Sequence, residues 1–243
     1  MKVEGSIALV TGANRGLGKA YTQALLAAGA AKVYAAARDP DSIAITDPRI
    51  IALKLDVTSQ GDVVAAARQC PDINLLINNA GILLQSPMLA EGAEDAMRRE
   101  MEVNVYGVLR MITAFAPVLA VNGGGAIVNM LSVVSWFTSP LNATYGASKH
   151  AALAVTDGAR IQLHDQGTQV IGVYAGFIDT DMTTHIDSAK VSPEQVAEQT
   201  LEGIRQGRNH VMADRRALDV WQSMRQDPAR VEAQMLQLWQ QRP

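Results

Sequence analysis

Six short, uninterrupted apolar runs alternate along this chain with segments of helical spacing: SIALVT (6–11), AKVYAAA (31–37), IIALKL (50–55), INLLIN (73–78), AIVNML (126–131) and VIGVYA (170–175). Continuous apolarity, rather than alternation with polar residues, belongs to strands covered on both faces. Each run is bounded by Gly, Asp, Asn or Ser. Strands alternating with helices imply βαβ units, and hence a parallel sheet wound right-handedly. The expected class is α/β, a doubly wound parallel sheet of about seven strands, with HVMA (210–213) as the short seventh. No repeat, low-complexity tract or linker interrupts the pattern before about residue 207, so residues 1–243 read as one domain. The tail from Arg215 to Pro243 carries Leu218, Val220, Trp221 and Met224, then Val231, Met235, Leu238 and Trp239, with Pro228 between the groups. That spacing predicts two short amphipathic helices.

At 243 residues the chain can bury a sizeable core. Its net charge of -3 carries no basic surplus, which argues against a nucleic-acid partner. Cys70 is the single cysteine, so an internal disulfide and a cysteine-built zinc site are both excluded. No metal site is expected. The N-terminus lacks a signal-peptide apolar core, and no stretch reads as the roughly 18 apolar residues of a membrane span. The expected compartment is the cytoplasm, with no membrane partner.

Polar features recur where the strand runs end. After the first run, TGANRGLG places Gly12, Gly16 and Gly18 at a strand–helix junction. There a backbone can approach a pyrophosphate whose charge the helix N-terminus favours. About twenty residues past these glycines stand Arg38 and Asp39. An acid there suits the ribose 2′-hydroxyl of NAD, an arginine the 2′-phosphate of NADP. Arg15, within the glycine turn, offers a second guanidinium and tips the reading to NADP(H) over NAD(H). The third run ends at Asp56, placed to meet an adenine amino group, and the fourth in NNAG (78–81). Asn104 interrupts an apolar helical pattern, either as a structural amide or as an anchor for relay water. Ser132 closes the fifth run. In SVVSWFTSPLNATYGASK (132–149), Tyr145 and Lys149 are four apart on one helical face, where an ammonium can lower a phenol's pKa. The glycine turn, Arg38, Asp56, Asn79, Ser132 and Thr180 all fall at the carboxyl ends of different strand runs. Open α/β sheets bind ligands outside those ends, which argues for one cleft.

TGANRGLG, NNAG, Asn104, Ser132 and YGASK, in this order and spacing, resemble the short-chain dehydrogenase/reductase family over roughly residues 5–213. The resemblance implies a Rossmann-type seven-stranded sheet and hydride transfer between a nicotinamide and a carbonyl or alcohol carbon. It implies that Tyr145 is the general acid/base and that Lys149 lowers its pKa while holding the nicotinamide ribose. Ser132 then polarises the substrate oxygen, and Asn104 positions relay water. The implied cofactor set is Gly12, Asn14, Arg15, Gly16, Leu17, Gly18, Arg38, Asp56, Val57, Asn79, Ala80, Gly81, Tyr145, Lys149, Gly176, Ile178 and Thr180. Helices around Asn104 and Tyr145 are the family's usual dimer faces, which implies a homo-oligomer, dimer or tetramer. Two departures stand out. Ala175-Gly176 replaces the family's Pro-Gly after strand six, loosening the turn that places Ile178 and Thr180. The helical tail replaces an Asp-Gly-Gly ending, and could cover its own core, cap the substrate cleft or meet another subunit.

Leu83, Leu84, Val133, Val134, Trp136, Phe137 and Met182 are expected to face the substrate. Such a mostly apolar pocket suits a lipophilic or aromatic ketone or aldehyde and offers no charge for a carboxylate. The short segment from Thr180 to Ser192 predicts an open, tolerant site. The alternatives are NAD-dependent alcohol or hydroxysteroid oxidation, reduction of a 3-oxoacyl thioester, and a non-catalytic NADP sensor on the same fold.

Overall fold

The computed structural model describes residues 1–242. Seven parallel strands form one sheet: β1 (Ile7–Thr11), β2 (Lys32–Ala37), β3 (Ile50–Lys54), β4 (Leu75–Asn78), β5 (Ala126–Met130), β6 (Gln169–Tyr174) and β7 (His210–Met212). Six lie within the apolar runs and β6 starts one residue ahead of its run, at Gln169; their order across the sheet is β3-β2-β1-β4-β5-β6-β7. The winding direction switches between β1 and β4, which leaves a crevice at their carboxyl ends.

Successive residues of each strand enter opposite cores, and this is why the runs are apolar throughout. Ala8, Val10, Val33, Ala35, Leu75, Ile77, Val128 and Val173 pack on one face under α1 (Gly16–Ala27) and α6 (Pro193–Arg205). Leu9, Tyr34, Ala36, Leu76, Ile127 and Val170 pack on the other, under α2 (Gln60–Gln69), α4 (Val108–Val121) and α5 (Ala143–Gln162). The chain is a single Rossmann-type domain with helices on both faces.

Between α2 and α4 lies α3 (Ala93–Met101), joined to α4 through a π-helical segment, Glu102–Gly107. The joined run Ala93–Val121 is long and apolar enough to cross a membrane by length and composition. That corrects the expectation that no stretch comes near such a length. Its Met111, Phe115 and Leu119 are fully buried against the sheet, which is the packing of a core helix. The tail forms α7 (Arg215–Gln226) and α8 (Pro228–Gln240), as the spacing predicts. Asp214 and Asp227 cap them by accepting from Ala217 N and Arg230 N. Pro228 takes the first position of α8, where a missing N–H costs nothing.

Candidate active site

A cleft of about 1110 Å³ runs along the carboxyl rim of the sheet. Every residue of the expected cofactor set lines it, from Gly12 to Thr180. At the β1 end the glycine turn is held shut by its neighbours. The Thr11 hydroxyl accepts from Asn79 N and Ala80 N, both at 3.0 Å, and Asn79 Nδ2 donates to the Thr11 carbonyl at 2.9 Å. Gly12 adopts φ +65°, a region L side chains rarely enter, and a Cβ on Gly18 would stand 2.0 Å from the Gly12 oxygen. Arg15, at the N-cap of α1, makes no side-chain cap, and the first turn holds no acid. The leading N–H groups therefore face the cleft with no side-chain acceptor, which suits a bound diphosphate.

The end of the cleft beside β2 and β3 is charged. Asp39 turns its carboxylate to cap the next turn, accepting from Asp41 N at 3.1 Å, so it is engaged locally. Arg38 lies beside Asp56; burial pushes the Asp56 carboxyl up, but bonds from Thr58 and the Arg38 charge bring it below its ordinary value. Arg15 is already paired, with Asp181 at 2.6 Å, across the cleft. Both partners are largely exposed, so the pair is worth little and yields readily to another anion.

The middle of the cleft joins β5 to α5. Ser132 follows β5, and its neighbour Val133 donates to the Ala175 carbonyl at 3.1 Å, tying the serine to the loop after β6. Tyr145 and Lys149 sit one turn apart on α5, with Lys149 Nζ 5.5 Å from the Tyr145 ring centre. Lys149 is only 6% exposed and donates to the Met130 carbonyl at 2.8 Å. Burial lowers its pKa to about 8. The phenol moves the other way: burial raises its pKa, Ser132 opposes the shift, and the Glu100 carboxylate adds to it. The expectation that the lysine makes this phenol more acidic is thus not met by the protein groups alone: desolvation outweighs the Ser132 hydrogen bond, which is the one contribution that lowers it.

Asn104 is 1% exposed and lies within the π-helical segment, a feature often found at functional sites. Its Oδ1 accepts from Ile82 N at 2.9 Å, and its Nδ2 donates to Ile82 O at 2.9 Å and Ser148 Oγ at 3.0 Å. The amide is bonded to protein on both its oxygen and its nitrogen and does not line the cleft, and its side chain holds the loop after β4. Glu100, one turn earlier and fully buried, accepts from Leu84 N at 2.8 Å. Its spacing four before Asn104 was the only signal in the sequence.

At the substrate end, Leu83, Val133, Val134, Phe137 and Met182 line the cleft as expected. Leu84 and Trp136 do not. The Leu84 N–H is held by Glu100, and Trp136 stacks on Tyr174 (4.1 Å between ring centres) and meets Trp221 of α7 at a tilt (4.9 Å). Met235 and Leu238 of α8 line the cleft, so the tail caps it. His185, on the short loop, touches Gln85 across the mouth. The site is therefore more enclosed than the loop length predicts. The Ala175-Gly176 turn stays ordered without proline because Ile178 bridges to Val191, with Asp179 N on the Val191 carbonyl at 2.9 Å. Residues that the sequence reading missed are Thr11, Glu100, Ser148, Arg216, Met235 and Leu238.

The family model for short chain dehydrogenases matches residues 6–191. A short chain dehydrogenase from Burkholderia cenocepacia, solved in complex with NADP, is 39% identical, superposes with a TM-score of 0.94, and covers 97% of this chain and 99% of its own. A 3-ketoacyl-(acyl-carrier-protein) reductase from Brucella melitensis, complexed with NADH, is 26% identical at a TM-score of 0.78, over 86% and 96% of the two chains. Galactitol 2-dehydrogenase from Agrobacterium fabrum is 31% identical over 77% of this chain and 76% of its own. With the glycine turn, the rim cleft and YGASK in their places, the chain belongs to the short-chain dehydrogenase family.

Proposed function

We propose that this oxidoreductase uses NADP(H) to interconvert a ketone or aldehyde and the corresponding alcohol. The observation that carries the reading is the meeting of Ser132, Tyr145 and Lys149 on the wall of the same cleft that holds the glycine turn. The cradle fits a dinucleotide: Gly12 and Gly18 leave room that a Cβ would fill, and α1 presents uncapped N–H groups. The nicotinamide supplies the hydride when bound. Arg38 serves the 2′-phosphate, since Asp39 is occupied as a cap; Arg15 joins it by leaving Asp181. The cofactor of the 39% identical Burkholderia protein supports that choice.

Tyr145 gives its proton to the substrate oxygen. Its raised pKa keeps the phenol protonated through neutral pH, as carbonyl reduction requires. Ser132 donates a second hydrogen bond where negative charge develops. Lys149 is charged below about pH 8 and balances the phenolate left behind. Asn104 orients the loop after β4 and Ser148. The capped apolar end accepts a lipophilic or aromatic carbonyl. Exposed Tyr106 and Leu109, where the π-helical segment runs into α4, give a face on which a homo-oligomer would form. One buried cysteine suits a reducing, cytoplasmic setting.

The test is a panel of ketones, aldehydes and 3-oxoacyl thioesters followed by NADPH absorbance, with Tyr145→Phe beside wild type. The variant should lose at least about a hundredfold in kcat while still binding NADPH; near-normal turnover with cofactor bound defeats the assignment.

A further inference from the structure

The substrate end of the cleft holds a cation that the apolar reading of the sequence did not include. Arg216, second residue of α7, lines the cleft together with Phe177, Met235 and Leu238. Its stem crosses Gly176: a Cβ there would stand 2.6 Å from Arg216 Cδ, so the glycine makes room for the arginine. The guanidinium then stacks on Phe177, with Cζ 4.6 Å from the ring centre. Among the described residues it has no ion pair and no side-chain hydrogen-bond acceptor. Neighbouring Arg215, by contrast, is paired with Asp219 at 2.8 Å. Asp214 is turned away, its two oxygens taking Gly176 N and Ala217 N. Of the two carboxylates of the loop after β6 that line the cleft, Asp181 is paired with Arg15, and Asp187 forms no ion pair with Arg216 among the described residues.

The other cations of the cleft have different places. Arg15 and Arg38 follow β1 and β2, and Lys149 is bonded to Met130 at the end of β5. Arg216 follows β7, four strands along the sheet from β1. At a strand spacing of about 4.8 Å that is far from the glycine turn. It is close to Ser132, since the Ala175 carbonyl beside Gly176 takes the Val133 N–H. A flat guanidinium stacked on an aromatic ring, with its donors free, is preorganised for a carboxylate.

We propose that Arg216 anchors a carboxylate on the substrate, so that the enzyme's class of substrate is an oxo acid, or the matching hydroxy acid, with an apolar body. The inference rests on the cleft being the substrate site of the proposed reductase. The carboxylate lies on Arg216, the apolar body lies along Phe137, Met182, Met235 and Leu238, and the reacting oxygen meets Ser132 and Tyr145.

Calorimetry on the protein saturated with NADP⁺ tests this without turnover, using 4-phenylbutanoate and 4-phenylbutanamide as probes. Wild type should prefer the acid by about tenfold or more, as for a charge-assisted bidentate contact. Arg216→Met keeps the stem over Gly176 and should bring the two affinities together, whereas Arg216→Lys should keep part of the preference. Equal binding of acid and amide by wild type, or an unchanged preference in Arg216→Met, overturns the proposal. Tyr145→Phe separates it from the catalytic reading: a variant that keeps the acid preference but loses turnover supports both. If Tyr145→Phe keeps turnover and the acid preference persists, only the catalytic assignment fails.

Discussion

Glu100 and Asn104 stand one helical turn apart and grip the same short loop. The carboxylate accepts from Leu84 N at 2.8 Å, and the carboxamide accepts from Ile82 N and donates to Ile82 O, each at 2.9 Å. Side chains here do what a neighbouring strand would do for an extended segment, and so fix the loop that walls the cleft beside Leu83. Glu100 Oε2 is left buried without a partner, a cost retained within reach of the Tyr145 phenol.

Glu100→Gln keeps an acceptor for Leu84 N and removes the charge that disfavours the phenolate. Alcohol oxidation needs that phenolate, so the rising limb of its kcat/KM profile should move to lower pH, by about half to one unit. Glu100→Ala should instead free the loop and raise substrate KM. An unmoved profile in the glutamine variant would show that the charge has no part in setting the phenol.

Lys149→Met should abolish turnover and yet stabilise the fold near neutral pH. The folded pKa of about 8 lies below the ordinary 10.5, so the charged form is disfavoured in the folded state at every pH below about 8. That penalty is about 3 kcal/mol, and losing the bond to the Met130 carbonyl returns about 1 kcal/mol. Wild-type stability, but not that of the variant, should gain from this group as pH rises from about 8 to 10.5, narrowing the gap. Urea titrations at pH 7 and pH 10 measure it.

Arg38→Ala should raise the NADPH KM by about ten- to a hundredfold, the loss of one charge-assisted contact, and leave the NADH KM nearly unchanged. Initial rates with each cofactor decide it, and equal losses would remove the 2′-phosphate reading.

Gly18→Ala should cost several kcal/mol, because the new methyl meets the Gly12 carbonyl oxygen at 2.0 Å, on backbone that cannot swing away. Thermal melts and NADPH titration should show a lowered Tm and lost binding together. A folded variant that binds normally would mean that the turn is looser than its contacts require.

The sheet was legible because burial on both faces demands apolar residues at every position, and that demand leaves a local trace in runs such as AIVNML. The rim motifs were legible for a related reason: a glycine turn, an Asn-Asn-Ala-Gly turn and a Tyr-x-x-x-Lys pair are each built from residues close in the chain. Only tertiary structure decided the rest. Trp136 looked like a pocket wall, but its neighbours Tyr174 and Trp221 come from β6 and α7 and draw it outward. Asn104 reads from the sequence equally as a structural amide or a water anchor, and only the fold shows which protein groups, Ile82 and Ser148, its amide meets. Arg216 carries no signal in the sequence, because nothing local says that Gly176, forty residues earlier, opens a path for its stem. A side chain's type is written in the chain itself, whereas its direction and charge state depend on burial and on partners that folding brings from far along it.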